Sequence, residues 1–583
     1  MKQRAKVQHP AGGKASRTAG GAVEVSAPLD GSRAKLPRAA VIGFVVATCL
    51  LCLRYALYTD QTWEDSLITL RHSENLLKGE GLTFNTGGRV HGFTSPVNVL
   101  LLAVCHFVTG QSSYAATFWL YRVFTVAALA ISGVFLLKTL YETPPRWNAA
   151  LWFFAVVYLF DVKTIAFCIN GMETGFVLGF LAWAVYLIAK ADPEHWRARG
   201  LCWAGLMWSR PDAFIYVAGL ALGEFVFLSL SRRELLVSYV KSGVVCIIFY
   251  GPWVLWAWSY YGSPIPHTIT AKANAEMGWM QQLGSTFDLY PASLISKAAQ
   301  VFRPIYYGET AAWAGHVGWG RVINGATNFV GIVGLLYFLF PTRDYFGRAM
   351  SLAFVVLCSY LAYMPVVYPW YMPPMTLVGA MAFTRAATTA ALSASEHSTA
   401  GAWYERRKMW VGGVLTALAV GAVALFYPAA LEEKIQQAEI EMGNRAEIGK
   451  WLKANAKPTD TVYLEPLGYI GYYSDLHIDD FPGLVSPKVV QLRRELPADP
   501  NSIRFSRQLL LSKVKADWVV LRFVEYQALS QLPMIEEFNK NYTLAREFDV
   551  NPKLNSYKYL PGEFSLRFDA GFAVFHRNAT ATN

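Results

Sequence analysis

Between Ala39 and Tyr427 apolar runs follow one another, separated by short loops in which Lys and Arg collect. One such run can be buried in a soluble core. A chain built from many has no aqueous core to hold them, and a bilayer is the solvent that accepts them. Composition agrees, with 54% of the 583 residues hydrophobic, 15% aromatic and a mean hydropathy of +0.27, too apolar for an ordinary soluble enzyme. The net charge of +11 would suit a nucleic-acid partner, but the excess sits in the N-terminal tail and between the apolar runs, where it sets membrane orientation. No nucleic-acid binding is expected. All seven cysteines lie in or beside apolar runs, so neither a disulfide framework nor a thiolate metal site is implied.

Residues 1–38 carry eight Lys/Arg in a Gly, Ala and Ser background and read as a disordered cytoplasmic tail. Those charges hold the start of the first span, near Ala39 to Leu57, inside. The expectation is an all-α polytopic membrane domain over 39–427, with about 11 transmembrane helices and outer loops at 58–96 and 262–321. Basic loops around Lys138, Lys190, Arg232 and Arg343 read as cytoplasmic. Val97 to Thr109 breaks the alternation, so it is either re-entrant or continuous with the next run. Residues 428–583 are polar, with a helix pattern from Leu431 to Ala454 and strand-like runs at Thr461 to Leu464, Trp518 to Phe523 and Phe572 to His576. They are expected to form an extracytoplasmic α/β domain.

The most polar interruption is Trp63 to Pro96, at the mouth of the first span. Glu64 and Asp65 open it. A helix there places Leu67 and Arg71 above Glu64, and Ile68 and His72 above Asp65, while Glu74 pairs with Lys78 and Gly79 and Gly81 stop it. The pattern predicts an amphipathic helix at the membrane surface.

This stretch resembles the first outer loop of GT-C type membrane glycosyltransferases, in the branch of the mycobacterial terminal arabinofuranosyltransferase and flagellar-motor-control-like proteins. The residues that carry the likeness are Glu64-Asp65, Gly79 to Asn85 in a G-x-G-L-x-F-N segment, and Gly92 to Pro96. The branch usually has Asp-Asp, so Glu64 departs from it and Asp65 is the firmer match. Further likenesses are Gly171-Met-Glu-Thr, Arg210-Pro-Asp and the segment from Ser263 to Lys272, where His267 replaces the usual Asn.

The resemblance implies a polyprenyl-phosphate-sugar-dependent glycosyltransferase acting on an extracytoplasmic glycan or lipid acceptor, with arabinofuranose among the sugars it suggests. It implies catalysis at Asp65 and Glu64, and substrate binding at Asn85, Glu173, Arg210, Asp212, His267 and Lys272; helix facing beside the acidic pair adds Arg71 and His72, and an aromatic plane suited to a sugar or prenyl chain adds Tyr371. The chemistry suits those residue types, because an acceptor hydroxyl needs a base and a departing lipid phosphate needs a fixed cation. Each also has a plainer reading: solvated loop acids at 64–65, a snorkelling Lys272, an Arg210–Asp212 pair softening its own burial, and Tyr368 to Pro374 as an interface belt. No phosphate-cradling Gly-rich loop occurs, which disfavours nucleotide sugars. No cofactor is fixed by the sequence, and a divalent cation at Glu64 and Asp65 stays open without further ligand spacing to support it. The alternative class is a non-enzymatic transporter or envelope or flagellar assembly factor that keeps the fold. Either way, an integral inner-membrane protein is expected, its N-terminus cytoplasmic and its C-terminal domain extracytoplasmic.

Overall fold

The computed structural model describes residues 35–111, 113–228, 231–272, 290–303, 320–364, 367–392, 401–495, 510–532 and 534–579. The expected tail over 1–34 and most of the expected loop over 262–321 lie outside the described residues. Lys35–Asn583 forms one compact unit.

Among the described residues six helices are long and apolar enough to cross a membrane: Arg38–Thr59, Tyr114–Glu142, Arg232–Tyr261, Gly320–Leu339, Tyr345–Tyr363 and Trp403–Asn455. The 22 residues of Arg38–Thr59 cover ~33 Å at the usual helical rise, enough for a hydrocarbon core of ~30 Å. Asn148–Phe160 and Val162–Ile169 together make a seventh candidate span, bent by 46°. At the bend Asp161 accepts hydrogen bonds from Lys163 Nζ at 2.8 Å and Thr164 Oγ1 at 2.7 Å, so the interruption is polar but satisfied. The expected run at Val97 becomes Pro96–Val108, started by Pro96 behind a Ser95 cap whose Oγ accepts from Asn98 N–H at 3.2 Å. Its 13 residues reach only ~20 Å, and it ends in a turn before Tyr114 rather than continuing into the next helix.

The helix Thr174–Lys190 shows how charge divides the bundle, with Glu173 at its start and Lys190 at its end. At the Lys190 end, Nζ reaches Glu142 Oε2 at 2.5 Å. There the buried Arg385 also donates to the carbonyls of Thr143, Pro144 and Pro145 at 2.8, 2.7 and 2.9 Å and pairs with Asp344. Basic loops therefore gather at one end, and Glu173 sits at the other.

The last long helix runs through Pro428 without stopping, becomes π-helical over Gln436–Arg445 and continues as Ala446–Asn455. Beyond it a five-stranded sheet is ordered β2-β1-β3-β5-β4, with β1 at Thr461–Leu464, β2 at His477–Asp480, β3 at Trp518–Arg522, β4 at Tyr542–Asp549 and β5 at Gly571–Arg577. β1 pairs in parallel with β2 and β3, whereas β5 pairs antiparallel with β3 and β4. Strands β2 and β4 were not visible as apolar runs. The acidic end of β2 is tolerated because Asp480 accepts N–H bonds from Gly483, Leu484 and Val485 at 3.0, 2.6 and 2.8 Å. β4 is an edge strand with most of its residues exposed, so charges interrupt its pattern.

The polar stretch after the first span does form a helix, Glu64–Leu77, but it does not lie free at a surface. Leu67 and Leu70 pack with Leu102 and Cys105 of Pro96–Val108, while Ile68 packs with the core beneath the sheet. The helix is clasped on both sides.

Candidate active site

Glu64–Leu77 is fixed at its start. Trp63 N–H donates to Asn170 O at 2.8 Å, and its ring meets Phe167 and Trp370 edge-on at 5.2 and 6.0 Å. The two acids occupy the first turn, where the helix dipole favours negative charge. Glu64 turns toward the C-terminal domain: Oε1 accepts Gly468 N–H at 2.8 Å, and Oε2 lies 3.8 Å from Arg445 Nη1. A Cβ at position 468 would fall 2.2 Å from the Glu64 carbonyl oxygen, so this approach requires glycine. Asp65 differs. Its carboxylate makes no hydrogen bond or ion pair among the described residues. Burial raises its pKa against the opposing pull of Lys272 and Arg445. Burial raises Glu64 as well, against Arg445.

Lys272, at the end of the short helix His267–Lys272, supplies the cation facing Asp65. Its ammonium sits over the rings of Tyr368 and Trp370, 4.7 and 5.4 Å from their centroids. Burial lowers its pKa while Asp65 opposes that shift. Tyr368 and Trp370 thus lie against the Lys272 ammonium. Behind them Arg210 lies over the Tyr371 ring at 4.2 Å, grips Asp212 with two bonds of 2.9 and 3.0 Å, and approaches Glu173 at 3.6 Å. Tyr360 donates to Asp212 at 3.2 Å. Glu173 feels Asp65 as well as Arg210, and its burial raises its pKa. Gly171 allows its loop to close on the acidic helix, because its φ is +94° and a Cβ there would meet Ser66 and Phe118 at 2.7 and 2.5 Å.

The structure therefore brings together Glu64, Asp65, Glu173, Arg210, Asp212, Lys272 and Tyr371. The other four sequence candidates lie elsewhere. Arg71 turns its guanidinium to the carbonyls of Phe84, Gly471 and Leu476, which fastens the C-terminal domain. Asn85 does the same to strand β2, donating to Ile478 O at 2.9 Å and accepting Ile478 N–H at 3.0 Å as a backbone peptide would. His72 is fully buried, with Nδ1 against Ile68 O at 2.8 Å and its ring packed on Phe84 and Phe93. His267 bonds through its backbone to His91 O at 2.9 Å. None of these four reaches the carboxylate pair.

Sequence reasoning missed the cations and anions that the C-terminal domain brings to Glu64. Arg445, 6% exposed, pairs with Glu441 at 2.8 Å and Asp569 at 2.9 Å besides Glu64. Despite its burial, Asp569 is held down at about 2 by Arg445 and Arg522. No local sequence signal marks Arg445, which lies at the end of the π-helical stretch Gln436–Arg445 seen only in the structure. Among the described residues no three His, Cys, Asp or Glu side chains are grouped to hold a metal ion.

Comparison of whole structures supplies the frame for this geometry. ArnT from Cupriavidus metallidurans, solved bound to undecaprenyl phosphate, superposes with a TM-score of 0.50 at 11% identity, over 94% of this chain and 100% of that one. The oligosaccharyltransferase AglB from Archaeoglobus fulgidus, solved with an inhibitory peptide and a dolichol-phosphate, gives 0.51 at 12% identity, over 90% of this chain and 74% of that one. The chain shares the fold of these two proteins. At the sequence level the chain resembles the terminal β-(1→2)-arabinofuranosyltransferases of Mycobacterium tuberculosis, 28% identical over 235 residues, and of Corynebacterium glutamicum, 26% over 238. Each match covers 37% of this chain but only 36% and 34% of the relatives' own length. Residues 432–573 match a domain of unknown function, DUF8728, and this segment contains Arg445, Gly468 and Asp569.

Proposed function

We propose that the protein transfers a sugar, arabinofuranose being the one its relatives suggest, from a polyprenyl-phosphate donor to a glycan or lipid acceptor. The observation that carries this reading is the Asp65 carboxylate, without a hydrogen-bond or ion-pair partner among the described residues, facing Lys272 in a half-buried, aromatic-lined site at one end of a GT-C bundle. Asp65 takes the acceptor hydroxyl proton as the new bond to the sugar C1 forms and the C1–O bond to phosphate breaks. The lipid phosphate leaves with its added charge beside Lys272. Arg210 is occupied by Asp212, so in this scheme it shapes the pocket and Lys272 meets the phosphate. Relatives solved with undecaprenyl phosphate and dolichol-phosphate support a lipid carrier. Clustering of the charges at one end of the bundle favours an enzyme over a transporter, whose polar groups belong near the midplane.

The same reading orients the chain. With the basic loops cytoplasmic, the carboxylates and the sheet domain face the other side. About 11 crossings result when Thr174–Lys190, Trp196–Ser209, Phe214–Phe227 and Met372–Leu392 are counted with the seven candidate spans. Pro96–Val108 then returns to the side it left.

The test is transfer by protein reconstituted in lipid nanodiscs, given a synthetic polyprenyl-phosphate arabinofuranose or a nucleotide sugar. Lipid-dependent transfer, lost in Asp65→Asn, is expected. Saturable use of a nucleotide sugar, or full activity in Asp65→Asn, overturns the reading.

A further inference from the structure

Glu64 and Asp65 are neighbours in sequence, yet they face different partners. Glu64 is held by two groups of the C-terminal segment, Gly468 N–H at 2.8 Å and the Arg445 guanidinium at 3.8 Å. Arg445 cannot drift from this place, because Glu441 holds Nη1 at 2.8 Å and Asp569 holds Nη2 at 2.9 Å. Asp569 is braced in turn by Arg522 Nε at 2.5 Å, and Arg522 also binds Glu465 and Glu525. A continuous chain of alternating charges thus runs from the carboxylate pair into the sheet, and Arg445 is its first link.

Resting on the reading of Asp65 as the base, we propose that Arg445 is a positioning residue: it ties down Glu64, biases the neighbouring pair toward the ionised state, and so makes the C-terminal domain part of the active site. Two adjacent half-buried carboxylates resist ionising together. A fixed cation beside one of them relieves this, and it leaves Asp65, which has no hydrogen-bond or ion-pair partner among the described residues, to meet the acceptor hydroxyl. The groups that face Glu64 are Arg445 and Glu441 from the π-helical turn, Gly468 N–H from Leu467–Ser474 and Asp65 from its own helix. Those that face Asp65 are Lys272, Arg445 and, across the pocket, Glu173.

The experiment is the pH profile of transfer for reconstituted Arg445→Gln, Arg445→Lys and, as a charge-balanced variant, Arg445→Gln with Glu441→Gln, each checked for folding by its thermal midpoint. Loss of the cation should move the acid limb up by about one pH unit, the smaller end of the effect of an adjacent opposite charge. Arg445→Lys should return the limb most of the way. In a Glu64→Gln background the shift caused by Arg445→Gln should shrink, since the carboxylate it ties down is gone. A merely structural role would lower activity at every pH and leave the limb in place. That result, in folded protein whose Asp65→Asn variant is inactive, overturns this inference and leaves the assignment of Asp65 standing. Full transfer by Asp65→Asn would instead strike at the assignment itself.

Discussion

Arg210 and Asp212 are locked together, Nε to Oδ1 at 2.9 Å and Nη2 to Oδ2 at 3.0 Å, with Arg210 only 6% exposed. The pair divides the labour of the two cations in the site. Breaking a buried pair from one side leaves an uncompensated charge, at a cost of about 3–5 kcal/mol. Arg210→Ala should therefore lower the thermal unfolding midpoint in detergent strongly. Lys272→Ala removes a cation that rests on rings, and it should leave the midpoint nearly unchanged while raising KM for the lipid donor about tenfold or more. Equal loss of stability in the two variants would refute this division.

Asp65 gives a second prediction, through pH. The working form of a base is the ionised carboxylate. Burial raises the Asp65 pKa above the usual ~3.9, so as pH falls transfer should fail earlier than an exposed aspartate would allow. Lys272 opposes that shift. Its removal in Lys272→Ala should carry the acid limb further up, separately from the KM effect, and kcat measured across pH at saturating donor reads it. A limb indifferent to Lys272 would uncouple the two residues.

The parts of this site that were legible in sequence are charges standing in apolar surroundings. Glu64, Asp65, Glu173, Arg210, Asp212 and Lys272 each interrupt hydrophobic sequence, and an unpaid charge near a membrane segment is conspicuous. Arg445 and Asp569 perform a comparable electrostatic task but sit in a polar domain, where charge is common and the partner, Glu64, lies at the far end of the chain. Asn85 and Arg71 stood out by motif, yet the motif did not say that they face a strand and a helix end rather than a ligand. The three strands built on apolar runs were visible. β2 was hidden because Asp480 is satisfied by three backbone N–H groups of the turn that follows, which no propensity encodes. The number of crossings was blurred by helices such as Trp196–Ser209, shorter than a bilayer alone would demand.

Asn85 yields the third prediction. It replaces one strand's worth of pairing at the β2 edge with two hydrogen bonds to Ile478. Asn85→Ala leaves a buried N–H and C=O without partners, each costing about 1–3 kcal/mol. The variant should expose the sheet domain to limited proteolysis at protease concentrations that spare the wild type. Asn85→Asp should also fail, since a carboxylate accepts from Ile478 N–H but cannot donate to its carbonyl. A donor KM raised tenfold with proteolysis unchanged would instead make Asn85 a substrate ligand.

The last prediction concerns acid. His72 and His91 are buried, 0% and 3% exposed, and burial drives their pKa values down to about 4 and about 3. Among the described residues His72 Nε2 and both ring nitrogens of His91 lack hydrogen-bond partners. The charges around them are unhelpful, with Arg71 acting on His72, and His72 and His267 acting on His91. In the unfolded chain each imidazole titrates near 6.5, so below that pH the unfolded state binds more protons than the folded one and stability must fall. The loss proceeds at on the order of 1.4 kcal/mol per pH unit for each histidine and ends only near the folded values of about 4 and about 3. His91 stacks on Tyr261 at 4.6 Å and 9°, and His91→Phe preserves that stack while abolishing the titration. Thermal midpoints measured from pH 7.5 to 4.5 should decline in the wild type from just below 6.5. The decline should be distinctly shallower in His91→Phe, with equal midpoints at pH 7.5. Parallel curves for the two proteins would mean that the acid sensitivity arises elsewhere.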